Sequence, residues 1–433
     1  MADDPRRPLR SMTVRFIHAS DLHIDSPLIG LDRYPGAPAG ELRSATRAAL
    51  ANLVDLAIAE KADFLVLAGD LYDGDWTDFN TGLYFRIQMA RLRDAGVPVF
   101  VVKGNHDAES QITRTLTAPD NVVEFPSSHA HTHTLPHLGV ALHGRSFRDR
   151  ATVDDLAAEY PDAIPGMLNV GLLHTSLDGR PYHDPYAPTR LDVLRRKGYD
   201  YWALGHVHAR EVICERPRVV YSGNPQGRHA RETGAKGCEL VEWDGKKLSA
   251  QPVALDAVRW AQLSIAADAM DGISAFQQHA IDRLAGLARD AGERLVAVRV
   301  SITGSGALHR LESSQPGRME SELRAMASEV PGARLWIEKV ACDLRPDYDR
   351  ARLAAGPDAI GELLRLIDRA AADETELAAI GRRALEDLHA RLPSELKSGA
   401  DPLRLLDADV LRMLLPAAEA TLIARLLDGN MPA

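Results

Sequence analysis

Five short stretches of this 433-residue chain carry side chains of the kinds that hold metal ions. They are SDLH, with Asp21 and His23; GDLYD, with Asp70 and Asp73; GNHD, with Asn105, His106 and Asp107; LLH, with His174; and LGHVH, with His206 and His208. Singly, each is ordinary. Asp21 and His23 fit a loop end, Asp70 and Asp73 fit an Asx turn, and Asn-His-Asp is common turn composition. Together, each directly behind an apolar run, they ask for a different explanation. Carboxylates and imidazoles brought to one place could hold divalent cations, and Asp70 could bridge two of them through its two oxygens. Paired ions of this kind lie roughly 3.5–4 Å apart, clamp a phosphoester and activate water against it.

Side chains so far apart in sequence meet only if rigid elements aim them at one point. In α/β sheets the loops beyond the carboxyl ends of the strands share a crevice. The runs ahead of the five stretches are Val14–Ala19, Phe64–Ala68, Val97–Val102 with Pro98 near its start, Asn169–Leu173 and Tyr201–Leu204; Val140–Leu142 is a further strand-like run. Between the first of these the period changes. Glu41–Glu60 places Leu42, Ala45, Ala49, Leu53, Leu56 and Ala57 near a helical repeat, and Phe79–Asp94 reads as a second helix. Near-continuous apolar strands separated by helices predict an α/β fold with the sheet covered on both faces. Gly69, Gly104 and Gly205 stand immediately before ligand candidates, where the backbone must turn sharply or approach an ion closely.

The pattern changes near Trp243-Asp244-Gly245. Strands Trp260–Ile265, Leu295–Ile302 and Ala333–Cys342 then alternate with helices Ile273–Arg289 and Arg318–Glu329, a small α/β domain. After Pro346, Leu-rich stretches alternating with charge predict helices to the end. The expected domains are residues 1–250, 251–345 and 346–433, in keeping with a length that suits two or three. A net charge of −10 argues against coating nucleic acid by bulk charge and leaves a local basic groove open. Cys214, Cys238 and Cys342 are scattered and form no C-x-x-C, so no disulfide framework is expected. Arg6 and Arg7, in MADDPRRPLRSM, lack the apolar stretch of a secretion signal, and Met12 is an alternative start. No run approaches the ~20 apolar residues of a membrane span, so a cytoplasmic protein without a membrane partner is expected.

The ordered set D-x-H, G-D-x-x-D, G-N-H-D, a lone His and G-H-x-H resembles the calcineurin-like metallophosphoesterase superfamily over about the first 245 residues. IHASDLHIDSPL, HGRSF (His143–Phe147) and YSGNPQGRHARETGAKGC (Tyr221–Cys238) look like the SbcD-type DNA repair exonucleases, most closely their YhaO-like branch. The resemblance implies a β-sandwich flanked by helices, a small α/β capping domain and a helical C-terminal region that binds a partner. It implies one ion held by Asp21, His23, Asp70 and His208 and another by Asp70, Asn105, His174 and His206, so the two histidines of LGHVH would serve different ions. His106 would be the catalytic acid, oriented by Asp73, with a plain ligand as its alternative role. Asp107 would lie behind the ligands or cap a turn. Manganese is the implied metal; the imidazole-rich donor set itself suits Mn²⁺, Fe²⁺ or Zn²⁺ better than Mg²⁺. The implied function is a metal-dependent DNA exonuclease or endonuclease, the nuclease subunit of a complex with an SbcC/Rad-type coiled-coil ATPase, with a homodimer also open.

Two other readings stand beside it. A small-molecule phosphodiesterase or phosphatase would use the same ions but has no need of a long C-terminal region. A non-catalytic DNA-binding scaffold has no need of the donor set. Residues 205–236 carry Arg210, Arg216, Arg218, Arg228, Arg231 and Lys236 against Glu211, Glu215 and Glu232, a local basic excess suited to phosphates. Arg195, Arg196 and Lys197 add a second basic spot. His129, His131, His133 and His137 read as an exposed strand or loop, or as an accessory metal cluster; His18 reads as buried packing, and His229 as a phosphate contact or a solvated loop. Leu403, Leu406, Leu411, Leu414, Leu415 and Leu422 supply more apolar surface than a short helix pair hides, so the C-terminal helices either dock a partner or pack as their own subdomain.

Overall fold

Five apolar residues in a row, as in Phe64–Ala68, can be buried in a strand only if both faces of its sheet are covered. A computed structural model of the chain, describing residues 13–27, 36–73, 79–109, 119–177, 186–268, 270–392 and 403–427, shows how this is done. The N-terminal stretch with Arg6, Arg7 and Met12 lies outside the described residues. The strands are β1 (Val14–Ala19), β2 (Phe64–Ala68), β3 (Val99–Val102), β4 (Val122–Glu124), β5 (His131–Leu135), β6 (Val140–Gly144), β7 (Leu168–His174), β8 (Tyr201–Gly205), β9 (Glu211–Glu215), β10 (Arg218–Tyr221), β11 (Gly237–Trp243), β12 (Leu248–Ala254), β13 (Val258–Ala266), β14 (Leu295–Ser305) and β15 (Leu335–Arg345).

Among the described residues, two six-stranded sheets run in the orders β12-β11-β1-β2-β3-β4 and β5-β6-β7-β8-β10-β9. Alternate residues of each central strand face opposite cores. Phe64, Val66 and Ala68 turn inward with Phe16, Phe100, Val170, Tyr201 and Ala203, forming the layer between the sheets. Leu65 and Leu67 turn outward to Leu50, Leu53, Met89 and Leu92 of helices α1 (Ala39–Ala59) and α2 (Phe79–Asp94). On the other sheet, Leu173, Trp202 and Leu204 turn outward to Leu156, Tyr160 and Leu194. This is the helix-flanked β-sandwich, and fully burying each large side chain contributes about 1.5–3 kcal/mol.

The chain divides into two compact units, Met1–Ala261 with Leu287–Val298 and Arg334–Glu338, and Gln262–Gly286 with Arg299–Ala333 and Lys339–Ala433. β13, β14 and β15 form the third sheet in that order. In the first unit, Val258, Trp260, Leu295, Ala297 and Trp336 pack on Leu42 and Ala45 of α1. The second unit contains helices Ala307–Ser314, Arg318–Glu329, Ala359–Ala372, Glu374–Arg391 and Ala408–Leu427. Arg350 reaches Asp368 at 2.7 Å and Glu419 at 2.7 Å, tying two of these helices together. No described helix is long and apolar enough to cross a membrane.

Candidate metal centre

β1, β2 and β3 lie side by side and parallel, with Ala19 level with Leu67 and Ala68 level with Val102. β7 and β8 are likewise parallel, with His174 level with Gly205. Each strand therefore releases its loop at the same height, and the ten candidate residues gather at one end of the sandwich. Asp21 and His23 follow β1, Asp70 and Asp73 follow β2, and Asn105, His106 and Asp107 begin the short helix Asn105–Glu109 after β3. His174 ends β7, and His206 and His208 follow β8.

The loops are held in tight backbone conformations. Asp21, His23, Asp70 and His206 have φ of 54°, 41°, 53° and 104°, values that side-chain-bearing residues rarely adopt. Cross-loop hydrogen bonds impose them: Asp21 N donates to Gly69 O at 2.9 Å, His23 N to Asp70 O at 3.1 Å, and His206 N to Asp21 Oδ1 at 3.0 Å. Asp107 is buried and accepts from Leu71 N at 2.9 Å, Tyr72 N at 3.1 Å and Gly104 N at 3.1 Å, so it locks two loops together behind the ligands. Gly104 is required by space, because a Cβ there would meet Asp70 Oδ1 at 2.2 Å.

Three groups of side chains offer converging donor atoms: Asp21, His23 and His208; Asp21, Asp70 and His174; and His23, Asp73 and His106. Asn105 Oδ1 lies 3.0 Å from His174 Nε2, and the His206 ring stands edge-on to that of His174 with centroids 5.3 Å apart. The chemistry of this donor set fits a cation. His174 Nδ1 donates to the Ala68 carbonyl at 2.9 Å, which turns Nε2 toward Asp70 Oδ2 at 3.4 Å. His208 Nδ1 donates to Glu232 Oε1 at 2.7 Å, which turns its Nε2 toward His23 Nε2 at 3.1 Å. Lone pairs crowded in this way repel one another unless positive charge lies between them. Burial opposes a charge on His174, yet the Asp70 carboxylate outweighs it and draws the imidazole up to about 9. A divalent ion satisfies the same field without that proton. Burial, with the Arg228 charge nearby, pushes His23 down to about 4, which leaves it neutral, as a ligand must be.

At the rim stands a histidine–aspartate pair. His106 Nδ1 lies 3.0 Å from Asp73 Oδ1, and the ring is 29% exposed. Burial alone would raise Asp73, but hydrogen bonds from His106 and His23 carry it well below the usual carboxylate range. Burial lowers His106, and the Asp73 hydrogen bond together with the negative charges of Asp70 and Asp73 more than offsets it, so its affinity for a proton is raised.

Glu232, Arg228 and Ser26 also reach the centre and were not singled out as site residues from the sequence. An acidic residue inside a basic loop carries no visible signal, and Arg228 stood out only as one of the basic residues of 205–236. The His229 side chain is 56% exposed and lies 3.7 Å from Glu232. His18 is buried, bonded to Tyr201 Oη at 3.0 Å and to the Leu204 carbonyl at 3.2 Å. His131 and His133 lie on the strand β5, and among the described residues neither joins a three-donor group. The basic stretch is largely engaged within the protein: Arg210 and Arg218 meet buried Glu239, Arg228 meets Glu232, and Lys236 donates to the His208 carbonyl at 2.7 Å.

Comparison with known proteins matches residues 14–210 to the calcineurin-like phosphoesterase family and residues 260–345 to the middle domain of the metallophosphoesterase YhaO. The uncharacterized metallophosphoesterase YhaO of Bacillus subtilis is 32% identical over 358 residues, covering 82% of this chain and 87% of that protein. The DNA double-strand break repair protein Mre11 of Methanopyrus kandleri is 25% identical over 268 residues, covering 53% and 54%. Mre11 of Sulfurisphaera tokodaii is 25% identical over 217 residues, covering 47% and 55%. Likeness to the first of these relatives runs through nearly the whole of both proteins, and the ordered donors lie inside the matched catalytic family: the chain belongs to the calcineurin-like metallophosphoesterases, in their YhaO branch.

Proposed function

We propose that this protein is a metal-dependent DNA exonuclease or endonuclease that hydrolyses phosphodiester bonds at a centre of two divalent ions. The observation that carries the reading is the gathering of seven donor side chains at the ends of five strands, three parallel in one sheet and two parallel in the other, beside the His106–Asp73 pair. One ion is assigned to Asp21, His23, Asp70 and His208, the other to Asp70, Asn105, His174 and His206, with manganese as the metal. Ions bound there would polarise the phosphoester and supply a nucleophile from water at neutral pH. The chain's own residues do the rest. Asp70 and the strand ends fix the spacing of the donors. Asp73 accepts from His106 Nδ1 at 3.0 Å, which fixes the ring so that Nε2 can deliver its proton to the departing oxygen.

DNA as the substrate is supported by the similarity to Mre11 over about half of each chain. The internal pairing of Arg210, Arg218 and Arg228 favours the second reading, a phosphodiesterase for small molecules. A partner of the coiled-coil ATPase type is proposed for the C-terminal helices. They form an apolar groove of about 510 Å³ lined by Leu377, Ile380, Leu411, Leu414, Leu415 and Leu422.

End-labelled DNA and a small phosphodiester, each assayed with Mn²⁺, with Mg²⁺ and with chelator, separate the readings. Chelation should abolish hydrolysis and Mn²⁺ restore it. Asp70→Asn should be the most damaging ligand substitution, and His106→Ala should lose roughly 10²–10⁴-fold in rate with both ions retained. Hydrolysis of the small ester with intact DNA at the same enzyme concentration would select the second reading. Loss of metal from His106→Ala would make His106 a ligand.

A further inference from the structure

Asp73 lies just beyond the end of β2, outside any helix or strand. Its Oδ1 faces His106 Nδ1 at 3.0 Å and His23 Nδ1 at 3.5 Å. A carboxylate held only on that side could pivot about its side-chain bonds and carry His106 with it. The opposite oxygen is held. Ser26 Oγ donates to Asp73 Oδ2 at 2.6 Å, and Arg228 Nη1 lies 3.5 Å from that oxygen and donates to Ser26 Oγ at 3.3 Å. The guanidinium is 17% exposed, and it is anchored in turn. Its Nη2 lies 3.7 Å from Glu232 Oε1, and the Arg228 backbone N donates to Glu232 Oε2 at 2.7 Å. Ser26 comes from the loop after β1 and Arg228 from the loop after β10, so three separate loops meet on one carboxylate.

We infer that Arg228 and Ser26 form a brace that positions Asp73 and, through it, the proton-donating ring of His106. The inference rests on the reading of His106 as the acid. The planar, forked guanidinium suits the task because one group spans two carboxylates, Asp73 and Glu232; an ammonium is a point charge. Neither brace residue touches the reacting atoms: they are positioning residues.

The test uses the full-length Mn²⁺-loaded protein and two esters that differ only in how much they need a proton. Methyl 4-nitrophenyl phosphate releases a stable phenolate; methyl phenyl phosphate releases a basic one. Arg228→Met and the milder Ser26→Ala should each lower kcat on the phenyl ester by roughly tenfold to a hundredfold, with a much smaller loss on the nitrophenyl ester. KM should not change, bound manganese should not change in Ser26→Ala, and Arg228→Lys should recover only part of the loss. Added to His106→Ala, Arg228→Met should cost nothing further, because both act on one step. Equal losses on the two esters, a raised KM at unchanged kcat, loss of manganese from Ser26→Ala, or additive losses in the double variant would each overturn the brace. His106→Ala alone separates this failure from that of the acid reading. If it shows no preference between the esters, both ideas fall. If it discriminates and the brace variants do not, only the brace falls.

Discussion

An imidazole can ligate through one nitrogen only if the other is committed to its proton. Glu232 makes that commitment for His208, accepting from Nδ1 at 2.7 Å. Burial would raise the Glu232 carboxyl, but the hydrogen bond from His208 and the nearby charges hold it below the usual range, so it stays an acceptor. Glu232→Ala should therefore weaken metal affinity about 10–100-fold, read by equilibrium dialysis of Mn²⁺, with Glu232→Gln intermediate. Unchanged affinity in Glu232→Ala would mean that His208 is oriented by something else. The ligand candidates themselves were legible because residue type coincided five times with the end of an apolar run. Their supports were not. Glu232 meets His208 across 24 residues, Ser26 meets Asp73 across 47, and Arg228 meets Asp73 across 155, and no local pattern records such pairs. The same blindness made the 205–236 stretch look like a basic surface when buried Glu239 holds both Arg210 and Arg218.

Strands and turns set how close the donors come. At Gly205 a Cβ would meet the Ala68 carbonyl oxygen at 1.9 Å and His174 Nδ1 at 2.9 Å. That oxygen belongs to β2 and Gly205 to β8, so the two sheets approach here too closely for any side chain, and backbone cannot swing aside. Gly205→Ala should cost about 1–3 kcal/mol of stability by overpacking and lower the rate by more than about 10²-fold through misplaced donors. Gly40→Ala, on α1 with nothing within 4 Å of its Cβ, is the control and should leave activity unchanged. Thermal unfolding and steady-state rates of the two variants decide this, and a fully active Gly205→Ala would refute the close-approach argument. At this scale the central parallel strands were legible because two-sided burial produces unbroken apolar runs. β3 begins at Val99 rather than Val97, as Pro98 has no N–H for the ladder. The strands β9 and β12 left little trace, since most of their residues are half-exposed or exposed. Helix Ala307–Ser314 also escaped notice, too short to show a period.

Across the whole molecule, donors and groove call for separate disruption. Ile380 and Leu414 line the groove yet are 40% and 46% exposed, so acidic side chains there need not disturb the packing. The double variant Ile380→Glu/Leu414→Glu should keep its melting temperature and phosphoesterase rate and lose co-purification with a co-expressed coiled-coil ATPase. Retained binding at full strength would place that interface elsewhere. The C-terminal helices were legible as helices from their leucine spacing, but an apolar face reads the same whether a neighbour or a partner covers it. One further consequence follows from the order of the donors along the chain. Of the seven assigned donors, a chain made as far as Glu109 holds Asp21, His23, Asp70 and Asn105, three oxygen donors and a single imidazole. That partial set suits hard, oxygen-seeking ions. The imidazoles of His174, His206 and His208 emerge only afterwards, and β1 gains its second neighbour only when β11, Gly237–Trp243, has been made. The imidazole-rich part of the donor set is thus written into the latter part of synthesis: a nascent chain and a finished one offer their surroundings different chemical invitations.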